Sequence, residues 1–258
     1  MHSRAEILAR VDRLLTIMDE LREQCPWDRK QTNESLRHLT IEETYELADA
    51  ILDNNPTEIK NELGDLLLHI IFYAKIGSEQ AQFDLGDVAT SIAEKLIHRH
   101  PHIYGDVEVA DEEEVKKNWE ALKLKEGKKS VFEGVPRSLP SLIKAHRLQD
   151  KAAGIGFDWP DTDGVLDKIQ EEIQELKEAK VLKDSTAMEA EFGDVLFSLI
   201  NYARFQNISP ETALERTNKK FIARIQWMEQ QAEASGQKLQ DLDLEAMEVL
   251  WQKAKTHL

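Results

Sequence analysis

EETYELADAILDNNPTEIKNELGD, residues 42–65, joins two acidic clusters through a short proline turn, and the chain spells the same pattern a second time. Residues 171–194 read EEIQELKEAKVLKDSTAMEAEFGD. Glu171, Glu172, Glu175, Glu191 and Asp194 each lie 129 positions after Glu42, Glu43, Glu46, Glu62 and Asp65. Leu47/Leu176, Gly64/Gly193, Leu67/Leu196, Tyr73/Tyr202 and Ala74/Ala203 keep that spacing, so apolar positions repeat together with the charges. A repeat at half the chain length marks two copies of one supersecondary unit.

Composition fits two helical units. The chain has 258 residues, 41% hydrophobic and 32% charged, with only 11 Gly and 7 Pro, enough apolar material for real cores and few helix breakers. The net charge of −16 argues against nucleic acid or an anionic membrane as the main partner, since both are held by clustered Lys and Arg. Small phosphates remain open, because a bound cation reverses the local sign. Cys25 is the only cysteine, so no intrachain disulfide forms and a reducing compartment is expected. The N-terminus carries no apolar signal region, and LLLHIIFYA at 66–74 is too short to span a bilayer; a soluble cytoplasmic protein is expected.

Helical spacing of Ile7, Leu8, Val11, Leu14, Leu15 and Met18 predicts a first helix, ended by CPWD at 25–28. A second is expected over about 33–53. Asn55 as cap and Pro56 at the first helical position start a third, reaching about Ile76. Asp84 caps a fourth, which stops before HPHIYGD at 100–106, and a fifth from about Glu112 carries Trp119. EGKKSVFEGVPRSLPS, 126–141, lacks periodicity and is expected to hold a linker over 127–140 between modules at 1–126 and 141–258. The plan then restarts, with helices expected over about 141–152, 163–182, 186–206 and 210–234 and a short last one carrying Trp251. No segment alternates as strands do. The expected fold is all-α, two tandem modules.

On adjacent antiparallel helices the EExxE and ExxD carboxylates converge. Two carboxylates about 4 Å apart repel by roughly 4 kcal/mol at an effective dielectric near 20, so such clusters raise their pKa values or bind a cation. All-oxygen donors suit Mg²⁺, with Mn²⁺ as a working substitute and Ca²⁺ also open. A di-iron site would need Glu-x-x-His on two helices, and none occurs near either cluster; His69 stands four residues after Asp65, with Ser198 at its repeat position. Downstream, KLIHR at 95–99 and KFIAR at 220–224 pair Lys95 with Lys220 and Arg99 with Arg224, while WEALK at 119–123 and WQKAK at 251–255 pair Trp119 with Trp251 and Lys123 with Lys255. These read as phosphate donors and an aromatic surface for a base. The histidines of HRHPH at 98–102 have no partner at zinc-ligand spacing, and EGKKS at 126–130 lacks the upstream glycine of a phosphate-binding loop.

EETYE with ELGD and EEIQE with EFGD, joined by CPWD at 25–28 and RHPHIYGD at 99–106, resemble the MazG nucleoside triphosphate pyrophosphohydrolases, of the all-α NTP pyrophosphohydrolase superfamily, over about residues 8–255. The resemblance implies Mg²⁺-dependent hydrolysis of NTPs or dNTPs to monophosphate and pyrophosphate, a nucleotide house-cleaning or regulatory role, and a homodimer that completes a four-helix-bundle-like site. It places the metal on Glu172, Glu175, Glu191 and Asp194, and in the first copy on Glu43, Glu46, Glu62 and Asp65. Lys220, Arg224 and Lys255 are then expected to hold the triphosphate, Trp251 to face the base, and Glu171 with Glu172 to be catalytic, Glu171 orienting or deprotonating the water. Glu42, Lys95, Arg99, Trp119 and Lys123 would form a second site.

The copies differ at informative places. Lys168 and Asn201 share helix faces with the second cluster, where the first copy has Leu39 and Phe72. They are expected to contact substrate, which makes the C-terminal module the main catalytic one. The contrasting expectation is a non-enzymatic helical dimer that binds nucleotide, metal or a regulatory protein partner.

Overall fold

The computed structural model describes residues 1–111, 114, 115, 118, 119, 122 and 130–257. Among these residues there are helices and turns and no strand. Contacts divide the chain into two compact units, Met1–Val109 and Ala110–Leu258. The part of the expected linker that is described, from Ser130 onward, packs into the second unit, where the buried Lys151 ammonium donates to the Val131 carbonyl at 3.0 Å.

The first unit consists of α1 (Arg4–Gln24), α2 (Asn33–Leu52), α3 (Pro56–Glu79), α4 (Leu85–Arg99) and a short α5 (Pro101–Tyr104). In the second, α6 (Ser141–Ala153) precedes α7 (Thr162–Leu182), α8 (Ser185–Phe205), α9 (Pro210–Ala234) and α10 (Leu244–His257). Three features depart from the expectation. HPHIYGD contains a turn of helix, because Pro101 at a first helical position needs no hydrogen-bond partner. CPWD runs into a 3₁₀ turn, Asp28–Lys30, and α3 continues past Ile76 to Glu79. The expected start of the fifth helix, Glu112, lies outside the described residues, whereas Trp119 is helical.

The two halves use the same device to bring their acidic helices together. Asn54 and Lys183, equivalent in the repeat, turn the chain through left-handed backbone at φ 50° and 56°. For the lysine this costs about 1–2 kcal/mol. The residue that follows caps the next helix: Asn55 Oδ1 accepts from the Thr57 and Glu58 N–H groups, and Asp184 Oδ1 from Thr186 and Ala187. Such a cap is worth about 1 kcal/mol, and here it also fixes where the ExxD helix begins. α2 therefore lies against α3, and α7 against α8.

The halves diverge in their interiors. In the first unit Met18, Leu36, Ile71, Phe72 and Ile76 form a closed apolar core, with Leu39 and Leu68 packed against it. His69 is buried among them, with Nδ1 2.9 Å from the Thr40 hydroxyl, which in turn meets the Tyr73 hydroxyl at 2.7 Å. Burial pushes the His69 pKa down, against the pull of nearby Asp65. The repeat counterparts of Leu36, His69 and Phe72 are Val165, Ser198 and Asn201, each smaller. In the second unit these three residues line a cavity of about 880 Å³.

Outside, both halves leave the same stripe bare. Leu63, Leu67 and Ile70 on α3 are exposed, as are their counterparts Phe192, Leu196 and Leu199 on α8. Among the described residues no helix is long and apolar enough to cross a membrane.

Candidate active site

Glu172 and Glu175 leave α7 one turn apart, and Glu191 faces them from α8. One carboxylate oxygen of each can be chosen so that all three lie within 4.8 Å of one another. Glu172 is buried at 5% exposure. Its charge is met by Lys168, one turn earlier, whose Nζ stands 2.7 Å from Glu172 and 3.0 Å from Glu171. Those two bonds hold the lysine well above its ordinary pKa, the Glu172 bond contributing most. Glu175 has no such partner: burial, then the charges of Glu172 and Glu191, push its pKa up, with Lys168 opposing.

The first half repeats the triplet. Oxygens of Glu43, Glu46 and Glu62 also lie within 4.8 Å of one another. Glu62 Oε2 is buried without a hydrogen-bond partner among the described residues, and Leu39 stands where the second half has Lys168. Burial raises the pKa of Glu43, followed by the charges of Asp65, Glu46 and Glu42. Burial likewise leads for Glu62, followed by Glu46 and Asp65. An all-carboxylate donor set with a surplus of negative charge, and in the first half an orphaned oxygen, fits a hard divalent cation.

In the second half the triplet adjoins a cavity, which Glu172 lines. Lys168, Glu172, Asp194 and Asn201 all line it, which unites four residues picked out from the sequence. Asp194 stands in the wall and is not one of the three converging carboxylates. Glu171 is exposed on α7, linked to the cluster through Lys168. Lys220, Arg224, Trp251 and Lys255 are on α9 and α10, and none of them lines the cavity. Arg224 lies over the Trp251 ring at 5.4 Å and Phe221 lies 5.5 Å away, so the face expected to take the base carries a guanidinium. Of the expected second site, Glu42 on α2 and Lys95 and Arg99 on α4 belong to the first unit, Trp119 belongs to the second, and Lys123 lies outside the described residues.

Sequence reasoning missed much of the cavity wall. Phe132, Gln149, Phe157, Asp158, Trp159 and Arg204 all face the cavity. Arg204 donates to Asp158 and, through Nε at 3.1 Å and Nη2 at 2.9 Å, to Asn201 Oδ1. Gln149 Nε2 donates to the Phe197 carbonyl at 2.8 Å. Trp159 rests on the bare Cα of Gly164, where an added Cβ would come 2.8 Å from the indole. The available signal was the apolar GIGFDWPDTD turn immediately before the acidic helix.

Fold and site together define an all-α module in which an antiparallel helix pair gathers carboxylates, carried twice by one chain. The model of the MazG nucleotide pyrophosphohydrolase domain matches residues 31–104 and 162–228, and the chain belongs to the MazG family. It is 45% identical over 249 residues to the nucleoside triphosphate pyrophosphohydrolase/pyrophosphatase MazG of Thermotoga maritima, spanning 95% of each chain. With the nucleoside triphosphate pyrophosphohydrolase of Escherichia coli K12 it shares 39% identity over 254 residues, 95% of this chain and 97% of that one. The crystal structure of a mazG-related protein from Thermotoga maritima aligns with 44% of this chain and 98% of its own at 28% identity and a TM-score of 0.39. Phe132, Gln149, Phe157, Asp158 and Trp159 fall outside the matched segments.

Proposed function

We propose that the protein hydrolyses nucleoside triphosphates to monophosphate and pyrophosphate with Mg²⁺, and that the C-terminal module does the work. The observation carrying this reading is the junction of a carboxylate triplet with a cavity in the second half, against a triplet over a filled core in the first. The names of the relatives point to the same reaction.

Glu172, Glu175 and Glu191, with Asp194 beside them, would hold the cation, which supplies positive charge to the phosphate oxygens. Lys168 is bound to Glu172 and Glu171 and can turn its remaining N–H toward a phosphate. Water attacks the α-phosphorus while the bond to the α,β-bridging oxygen breaks, and Glu171 accepts the water proton. Lys220, Arg224 and Lys255 are our candidates for the leaving pyrophosphate; the Nε of Arg224 is buried and has no hydrogen-bond partner among the described residues. A homodimer is supported by the apolar stripe that α3 and α8 both expose, and like modules pairing through it would form a four-helix bundle. The first module then binds a cation and stabilises the dimer. Nucleotide house-cleaning in the cytoplasm is the role we assign.

Chromatography of the products formed on adding Mg²⁺ tests the reaction. Nucleoside monophosphate and pyrophosphate are expected as the first products, and nucleoside diphosphate with inorganic phosphate would refute it.

A further inference from the structure

The two triplets offer a cation the same oxygens in different surroundings. Glu43, Glu46 and Glu62 match Glu172, Glu175 and Glu191 residue for residue, and in each set carboxylate oxygens come within 4.8 Å of one another. Beside the second set stands a positive charge. Lys168 Nζ is 2.7 Å from Glu172 Oε1 and 3.0 Å from Glu171 Oε1, so one ammonium occupies a proposed cation ligand and the proposed base together.

The first half has nothing equivalent. Leu39 takes the lysine's position and packs against the apolar core. Among the described residues no lysine or arginine pairs with Glu42, Glu43, Glu46, Glu62 or Asp65. Glu62 Oε2 is buried there without a hydrogen-bond partner, a standing cost that a bound cation removes. An ammonium at hydrogen-bond distance does the opposite in the second half: it neutralises part of the charge a divalent cation would meet and repels that cation across a few ångströms.

Lys168 is also built to leave. Its side chain is 34% exposed, it is a mobile ammonium on a four-carbon stem, and it lines the cavity, where a phosphate outcompetes single carboxylates for it.

We infer that Lys168 is a removable counter-ion: it keeps the second triplet weak for a divalent cation until a triphosphate in the cavity draws its ammonium away, whereas the first triplet holds its cation without nucleotide. Cation and nucleotide then strengthen each other's binding in the second half, as linkage requires, and Glu171 is released in the same movement. The resting chain carries one tightly held cation, in the half without the cavity. The inference rests on the hydrolase reading for the identity of the phosphate ligand and adds the order in which the sites fill.

The test counts bound Mn²⁺ on the intact protein by the loss of the free ion's electron paramagnetic resonance signal. It uses Mn²⁺ alone and Mn²⁺ with α,β-methylene-ATP, whose α,β bridge resists hydrolysis, against protein-free blanks. With Mn²⁺ alone, wild type should bind one ion per chain at least about tenfold more tightly than a second. Glu43→Gln should lose the tight ion and Glu172→Gln should keep it. Lys168→Met, which keeps length without charge, should tighten the weak ion by at least about tenfold, and Lys168→Arg, which keeps the charge, should leave it as in wild type. The nucleotide analogue should tighten the weak ion by a larger factor in wild type than in Lys168→Met. Two ions of equal affinity in wild type, a tight ion that survives Glu43→Gln, or a weak ion unchanged in Lys168→Met would each overturn the inference. The ion counts need no turnover, so a wild type that releases no pyrophosphate from ATP would refute the hydrolase reading and leave the loading order to be decided by the same counts.

Discussion

Filling the cavity with the first half's own residue separates substrate space from stability. Asn201→Phe places in the second unit what Phe72 is in the first, where the ring is 3% exposed. Burying a phenylalanine gains about 1.5–3 kcal/mol. Against this, Arg204 loses both bonds to Asn201 Oδ1 while keeping Asp158, and a hydrogen bond to a charged group is worth roughly 1.5–3 kcal/mol. Two such bonds are worth roughly 3–6 kcal/mol, so the net is a loss of between about 0 and 4.5 kcal/mol, which for a unit of this size lowers Tm by at most about 18 °C. Turnover would respond quite differently, because the ring would occupy the cavity that the proposed function assigns to the substrate. The expected loss in kcat/KM is on the order of a hundredfold, about 2.7 kcal/mol. Calorimetric melting with a pyrophosphate-release assay measures both. A variant that melts within this window and keeps kcat/KM within about threefold of wild type would refute the cavity as the nucleotide site.

Gly164→Ala should favour helix α7 by up to about 1 kcal/mol yet push Trp159 off its seat, raising KM while Tm holds or rises; an unchanged KM would mean the indole is not part of the site. Glu43, Glu62 and Glu175 have raised pKa values in the fold, so the stability they contribute is complete below the ordinary carboxylate pKa and is lost as pH rises through their raised values. In EDTA, Glu175→Gln should therefore flatten the fall in Tm as pH rises above the ordinary carboxylate pKa, and Mg²⁺ should raise the wild-type Tm more at neutral than at acidic pH; identical profiles for the two proteins would contradict this. Leu67→Asp with Leu196→Asp should yield a monomer of about half the wild-type mass by light scattering, and a wild type already monomeric at micromolar concentration would exclude the shared stripe as an interface.

What the sequence disclosed follows from how locally each feature is encoded. Asn55, Asp84 and Pro56 act within one turn of helix, so the starts of α3 and α4 were legible, and α9 spans Pro210–Ala234 as its periodicity required. The repeat spacing exposed Lys168 and Asn201 as departures from Leu39 and Phe72, and the second unit has a cavity at the positions where the first has a filled core. The rest of the cavity wall was not legible, because its contacts cross long stretches of chain: Gln149 reaches Phe197, and Arg204 reaches Asp158. Neither pair has a local signature, since an Arg near a helix end reads as an ordinary cap and a Gln on an amphipathic helix as surface. Nor does sequence give a view of what lies over the Trp251 ring, here Arg224.

Pyrophosphate release from ATP in Mg²⁺ by wild type, Glu172→Gln and Glu43→Gln tests the division of labour most directly, because the two glutamates occupy the same repeat position and differ in what surrounds them. Removing a ligand of the working cation costs on the order of a thousandfold in rate, about 4 kcal/mol. Glu172→Gln should fall by that factor while Glu43→Gln keeps most of its turnover; equal losses from the two substitutions, or the larger loss from Glu43→Gln, would show that the cavity-bearing half is not the catalytic one.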